Sequence, residues 1–176
     1  MSRTIRPASA SVAVRRDAAA LTHPDRVLFA DVGLTKADLR PLAAQITKTA
    51  TENLRSDLIA KGGNPNLKVE IVNGLTSRDS FGEKGVSRVI VGGTIKESKI
   101  ETVGIASAID PGNFGREDSA LVLLDLMSDP VAGNQSAVVS LHYYIRPTTD
   151  KIRFIGTAIG NVVSHEAGHY IGNFHT

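Results

Sequence analysis

The chain contains no cysteine, and that absence removes several kinds of chemistry at once. Disulfides, thiolate zinc sites and thiol nucleophiles are all excluded, so any metal must be held by His, Asp or Glu. Charge of one sign is also lacking. Twenty Lys and Arg against 18 Asp and Glu leave a formal +2, which gives no argument for nucleic acid or acidic partners. No apolar run approaches the roughly 20 residues of a membrane span. The start, MSRTIRPASASVAVRRDAAALTHPDRV, has no uninterrupted apolar segment of signal-peptide length. As written, the chain reads as soluble and unexported, although the lack of cysteine would also suit a bacterial exported protein.

What is present suffices for one sizeable core: 176 residues, 41% of them hydrophobic. Residues 1–21 show no period and read as a flexible arm preceding one domain over 22–176. Arg26 to Val32 is apolar enough for a strand closed by Gly33. Thr35 with Asp38 three residues on has the form of a capping box, which starts a helix, and Pro41 is tolerable only in its first turn or as a break. Leu42, Ile46, Ala50, Leu54 and Leu58 then fall at i, i+4 spacing, with Lys48, Glu52, Arg55 and Asp57 on other faces. This is an amphipathic helix running to Gly62 and Gly63.

Leu67, Val69 and Ile71 alternate with charged residues and predict a half-buried strand. Asn73 to Gly85 reads as a loop, Val86 to Val91 as a strand ending at Gly92 and Gly93, and Thr102 to Ala108 as a further strand. The runs ALVLLDLM, from Ala120, and VVSLHYYI, from Val138, fit either a buried strand or a helix, because periodicity does not separate the two. After a loop from Pro147 to Asp150, Ile155, Ile159, Val162 and Val163 mark a last helix. The fold class expected is α/β, with helices early and late around several strands.

That last helix leads into VSHEAGHYIGNFHT, where His165, Glu166, His169, Gly172 and His175 stand in the pattern H-E-x-x-H-x-x-G-x-x-H. On a helix, His165 and His169 are i, i+4 neighbours whose imidazoles can converge on one ion. Gly172 stands where the helix must end if the chain doubles back, since glycine takes positive φ without a Cβ penalty. The turn then brings His175 round as a third ligand. Three neutral histidines with the fourth position left to water describe a catalytic zinc site, with Glu166 placed to act as general base. A bare HExxH also occurs by accident in ordinary helices. The added glycine and third histidine, behind an apolar helix, favour the zinc site.

HEAGHYIGNFHT resembles the signature of the metzincin zinc peptidases. The similarity extends back over residues 67–176, through SRVIVGGTIKESKIETVGIASAIDPGNF and IGTAIGNVVSHEAGHYIGNFHT, to the catalytic domains of bacterial reprolysin-like members. The resemblance implies a twisted, mostly parallel sheet with a backing helix and a C-terminal active-site helix. It also implies His165, His169 and His175 as Zn2+ ligands, Glu166 as base, Gly172 as turn residue, and a polypeptide substrate lying beside an edge strand. Such relatives are commonly bacterial and exported. They continue past the third histidine into a Met-turn subdomain, and here Met1 and Met127 both precede the motif. The expectation is therefore a metzincin N-terminal subdomain cut short after His175, with an inactive zinc-binding fragment as the alternative to an active endopeptidase.

A second, shorter resemblance lies in LTHPDRVLFADVGLTKADL, Leu21 to Leu39, which is similar to the start of the primase-polymerase domain of bacterial ligase D proteins. It includes none of that family's catalytic aspartates and carries no polymerase site. A DNA-repair module would show salt-sensitive DNA binding, and the near-neutral charge argues against it. No nucleic acid and no membrane are expected as partners. Asp110, Asp118, Asp125 and Asp129 lack the spacing of a calcium loop, while His23 and His142 read as a turn residue and a packed or surface residue.

Overall fold

The computed structural model describes residues 9–12, 22–23, 26–27, 29–60, 86–110, 118–128 and 140–172. In chain order these form strands β1 (Ser9–Val12), β2 (Thr22–His23) and β3 (Arg26–Val27), helix α1 (Leu39–Ala60), strand β4 (Val86–Val91), the short helix α2 (Ile95–Ser98), strands β5 (Gly104–Ala106) and β6 (Ser119–Val122), the short helix α3 (Asp125–Ser128) and helix α4 (Lys151–His169). The architecture is α/β: a mixed sheet packed with two long helices, α1 and α4. Its order is β1-β4-β6-β5, with β1 and β6 parallel to β4 and β5 antiparallel to β6. Ser9–Val12, within the span read as an arm, thus lies beside β4.

Helix α1 begins as its local chemistry dictates. The Thr35 backbone N–H and hydroxyl both donate to Asp38 Oδ2, each at 2.8 Å, and hold the Asp38 carboxyl below its ordinary range. A 3-10 turn over Lys36–Asp38 feeds the helix, and Pro41 falls in its first turn, where no intrahelical N–H is lost. Leu42, Ile46, Ala50 and Leu54 are buried, while Lys48, Glu52, Arg55 and Asp57 are exposed. The strand expected over 67–72 and the glycines at 62 and 63 lie outside the described residues.

The expected strand from Arg26 to Val32 is a correction: of the described residues in that span only Arg26–Val27 are strand, paired antiparallel with Thr22–His23. Phe29 turns the chain at φ +62°, and its carbonyl accepts from both Val32 and Leu34 N–H, closing a 3-10 turn at Ala30–Val32. The reason is tertiary. Phe29 is buried and stacks on His142, with ring centroids 6.0 Å apart. The His142 ring in turn bridges Asp31 Oδ2, 2.8 Å from Nδ1, and the Ser128 carbonyl, 3.0 Å from Nε2.

The two ambiguous apolar runs resolve by contact with the sheet. Ala120 to Val122 continue β6 at the centre of the sheet, and the next residues break into α3, whose Met127 is buried. In the second run Leu141–Tyr144 form a 3-10 turn. Thr102 to Ala108 is strand only over Gly104–Ala106. One core joins these parts: Leu42, Ile46, Val89, Val122, Ile155 and Ile159 all belong to it.

Candidate metal and catalytic site

His165, Glu166 and His169 are all carried by α4, so its placement comes first. Asp150 caps the helix by accepting from the Arg153 N–H at 3.1 Å. Ile155, Ile159 and Val163 are fully buried against the core. Gly156 and Gly160, one turn apart, face α1 at a distance that excludes side chains. A Cβ at Gly156 would meet Gln45 Cγ at 2.6 Å, and one at Gly160 would meet Thr49 Cβ at 2.7 Å and the Ile46 carbonyl at 3.0 Å. The seam is closed by neutral hydrogen bonds: Gln45 Nε2 to Thr157, and Asn53 Nδ2 to Asn161 and Ser164.

At the other end of α4, the motif residues split by environment. His165 is exposed, whereas Glu166 and His169 are buried. The two imidazoles stand edge to face at 82°, with ring centroids 5.0 Å apart. Two imidazoles sharing one tetrahedral zinc at about 2.0–2.1 Å have centroids at a comparable separation, roughly 5 Å. His175 lies outside the described residues. Among the described residues no group of three metal-ligating side chains gathers, so the third ligand rests on spacing and resemblance.

The helix closes just beyond His169. Ile171 N–H donates to the Gly168 carbonyl and Gly172 N–H to the His169 carbonyl at 3.0 Å, with Gly172 at φ +85°. That conformation costs most residues a Cβ clash and costs glycine nothing. The Asp110 N–H also donates to the His169 carbonyl at 2.9 Å, tying the chain after β5 to the helix end.

Beneath the motif lies a buried ionisable set. Tyr170 is buried and its hydroxyl donates to the Arg88 carbonyl on β4 at 2.8 Å, which anchors the helix end to the sheet. Burial pushes the phenol well above its ordinary value; Asp118 and Glu166 push the same way and Arg88 opposes them. Asp118, just before β6, is also buried, and its Oδ2 has no hydrogen-bond partner among the described residues. Burial, and secondarily Asp110, raise its carboxyl above the usual range.

Strand β5 forms the other wall. It is the end strand of the sheet, and among the described residues no strand pairs with its outer edge, where the Thr102 hydroxyl donates to the Gly104 carbonyl at 2.8 Å and accepts from the Gly104 N–H at 3.4 Å. Leu123 N–H donates to the Val103 carbonyl and Ser107 N–H to the Ser119 carbonyl. In an antiparallel ladder the alternate residues, Gly104 and Ala106, therefore turn their backbone groups outward. Gly104 faces α4 at Glu166, while Ile105 points away and is 40% exposed.

The remaining sequence candidates do not join this site. Asp125 Oδ2 accepts from the Ile95 N–H at 2.8 Å and fixes the start of α2, His142 is packed against Phe29, and Asp129 lies outside the described residues. Sequence reasoning missed Gly104, Gly156, Gly160 and Tyr170. The glycine pair at i, i+4 on α4 was a readable signal of close helix approach, and a tyrosine directly after the second histidine was not. The chain matches no family model, no curated protein and no solved structure.

Proposed function

We propose that the chain is a zinc-dependent endopeptidase in which His165, His169 and His175 hold Zn2+ and Glu166 is the general base. One observation carries the reading. Two imidazoles 5.0 Å apart stand beside a buried Glu166 and next to a strand that has no partner strand on its outer edge among the described residues. Bound zinc would supply a Lewis acid for the carbonyl and bring water into ionisable range near neutrality.

The chain's own residues do the rest. The outward backbone groups of Ala106 offer hydrogen bonds to an extended polypeptide, which lies along β5 as an added strand and takes the Gly104 groups over from the Thr102 hydroxyl. Glu166 takes a proton from the attacking water and returns it to the leaving amine. Its burial against β5 keeps bulk water from competing for that proton. His165, being exposed, leaves the site open on the solvent side, as an extended substrate requires. The sequence resemblance of HEAGHYIGNFHT to the metzincin signature, a family in which the substrate runs beside an edge strand, favours the same assignment.

The test is cleavage of an unstructured protein by the zinc-loaded chain, beside a chelated control and Glu166→Gln, with bound zinc measured in each. Cleavage that needs both zinc and Glu166 supports the peptidase. Stoichiometric zinc without cleavage points instead to a domain that binds metal and does not turn over.

A further inference from the structure

Opposite Glu166 on β5 stands a glycine, and the space it leaves is filled by Glu166 itself. A Cβ at Gly104 would lie 2.9 Å from the Glu166 carboxyl carbon, closer still to Oε1, and 2.9 Å from Val162 Cγ1. Gly104 is not at positive φ, so its backbone alone does not call for glycine. Space does.

Consider what gives way when that space is filled. The backbone of α4 is pinned on its far side, where Gly156 and Gly160 sit against Gln45, Thr49 and the Ile46 carbonyl. Val162 is β-branched on a helix and has essentially one side-chain rotamer. Strand β5 is held to β6 by the Leu123 and Ser107 hydrogen bonds. The soft partner is the carboxylate end of Glu166, which rotates about several single bonds. A side chain at position 104 therefore displaces the Glu166 carboxylate, the nearest and softest of these neighbours, and leaves a smaller clash with Val162 for the backbone to take up.

We infer that Gly104 is a positioning residue for Glu166: by leaving out its side chain, the edge strand lets the carboxylate lie inward, between α4 and the substrate edge. This rests on the reading of Glu166 as the general base. The role differs from that of a glycine needed for a turn, and it predicts that position 104 is felt at the carboxylate and not at the metal.

The experiment has two arms. In metal-free protein, thermal melting is measured for Gly104→Ala, Glu166→Ala and the double variant. Gly104→Ala should lower Tm in the original chain and lower it less when Glu166 is already alanine, the remainder coming from Val162; additive shifts would overturn the contact. In zinc-loaded protein, Gly104→Ala should keep full zinc and a little-changed KM but lose roughly 100-fold in kcat, the scale of a misplaced catalytic group. An unchanged kcat, or a kcat restored by adding Val162→Ala, would overturn the positioning role. Failure of the unsubstituted chain to cleave would overturn the peptidase reading and the catalytic half of this inference, while the melting arm still decides the contact.

Discussion

The two sides of α4 are built from different chemistry. Towards α1 the helix presents Gly156, Gly160, Thr157, Asn161 and Ser164, and the seam is held by close backbone approach and neutral hydrogen bonds. Towards the sheet it presents Glu166, His169 and Tyr170, with Arg88 and Asp118 buried beneath. Buried ionisable groups cost stability unless paired and hydrogen-bonded. The α1 side offsets that cost with tight packing, so one face fixes the helix and the other can carry reactive groups. The rigid face and the ionisable face are thereby separable by mutation.

The sharpest way to break this comparison is on the charged side. Glu166→Gln keeps the side-chain volume and removes the proton acceptor, so cleavage should fall by roughly 10²–10⁴-fold while zinc content and Tm stay close to those of the parent. Peptide turnover, bound zinc and a melting curve on the same sample read all three. A Tm collapse in this variant would mean that the charged side also holds the fold.

The next effect is the converse, on the α1 side. Gly160→Ala places a Cβ against Thr49 and against the Ile46 carbonyl, which is backbone and yields little. Overpacking of this kind costs about 1–3 kcal/mol, against a helix-propensity gain of ~1 kcal/mol, so the variant should be net destabilised in urea titration. Zinc binding by the folded fraction should be unaffected. A stabilised Gly160→Ala variant would show that the helices are not in close contact here.

Smaller changes sharpen the boundary. Tyr170→Phe removes the hydroxyl that donates to the buried Arg88 carbonyl and should cost about 1–3 kcal/mol in chemical denaturation, because that acceptor loses a partner. Asp118→Asn should do the opposite at neutral pH. The folded Asp118 carboxyl holds its proton to higher pH than the unfolded one, so folding binds protons between the two values and stability falls as pH rises through that interval. Asn removes the penalty. The variant's Tm should exceed the parent's at pH 7, and the gap should close on acidification as Asp118 becomes protonated; a pH-independent gap would assign the gain to something other than charge.

Much of this architecture is legible from periodicity because it depends on local pattern. The stripe from Leu42 to Leu54 and the stripe from Ile155 to Val163 each name a buried helix face, and Val86 to Val91 names a strand. Where the reading departs, long-range contacts decide. Phe29 leaves the strand because its ring has His142 to stack on, more than a hundred residues away, and ALVLLDLM divides between strand and helix where the sheet ends. At the site, the histidine spacing is local and readable. Gly104 is not, because its significance arises only when β5 is laid against Glu166, and no spacing in the sequence records that approach.

The central claim is that α4 presents a zinc site built on His165 and His169. X-ray absorption at the zinc edge, on the chain loaded with one equivalent of metal, tests it most directly. The account predicts imidazole nitrogens at about 2.0–2.1 Å with a light-atom fourth ligand, and loss of that shell in His169→Ala. Failure to retain one zinc per chain, or an all-oxygen shell that His169→Ala leaves unchanged, would contradict it.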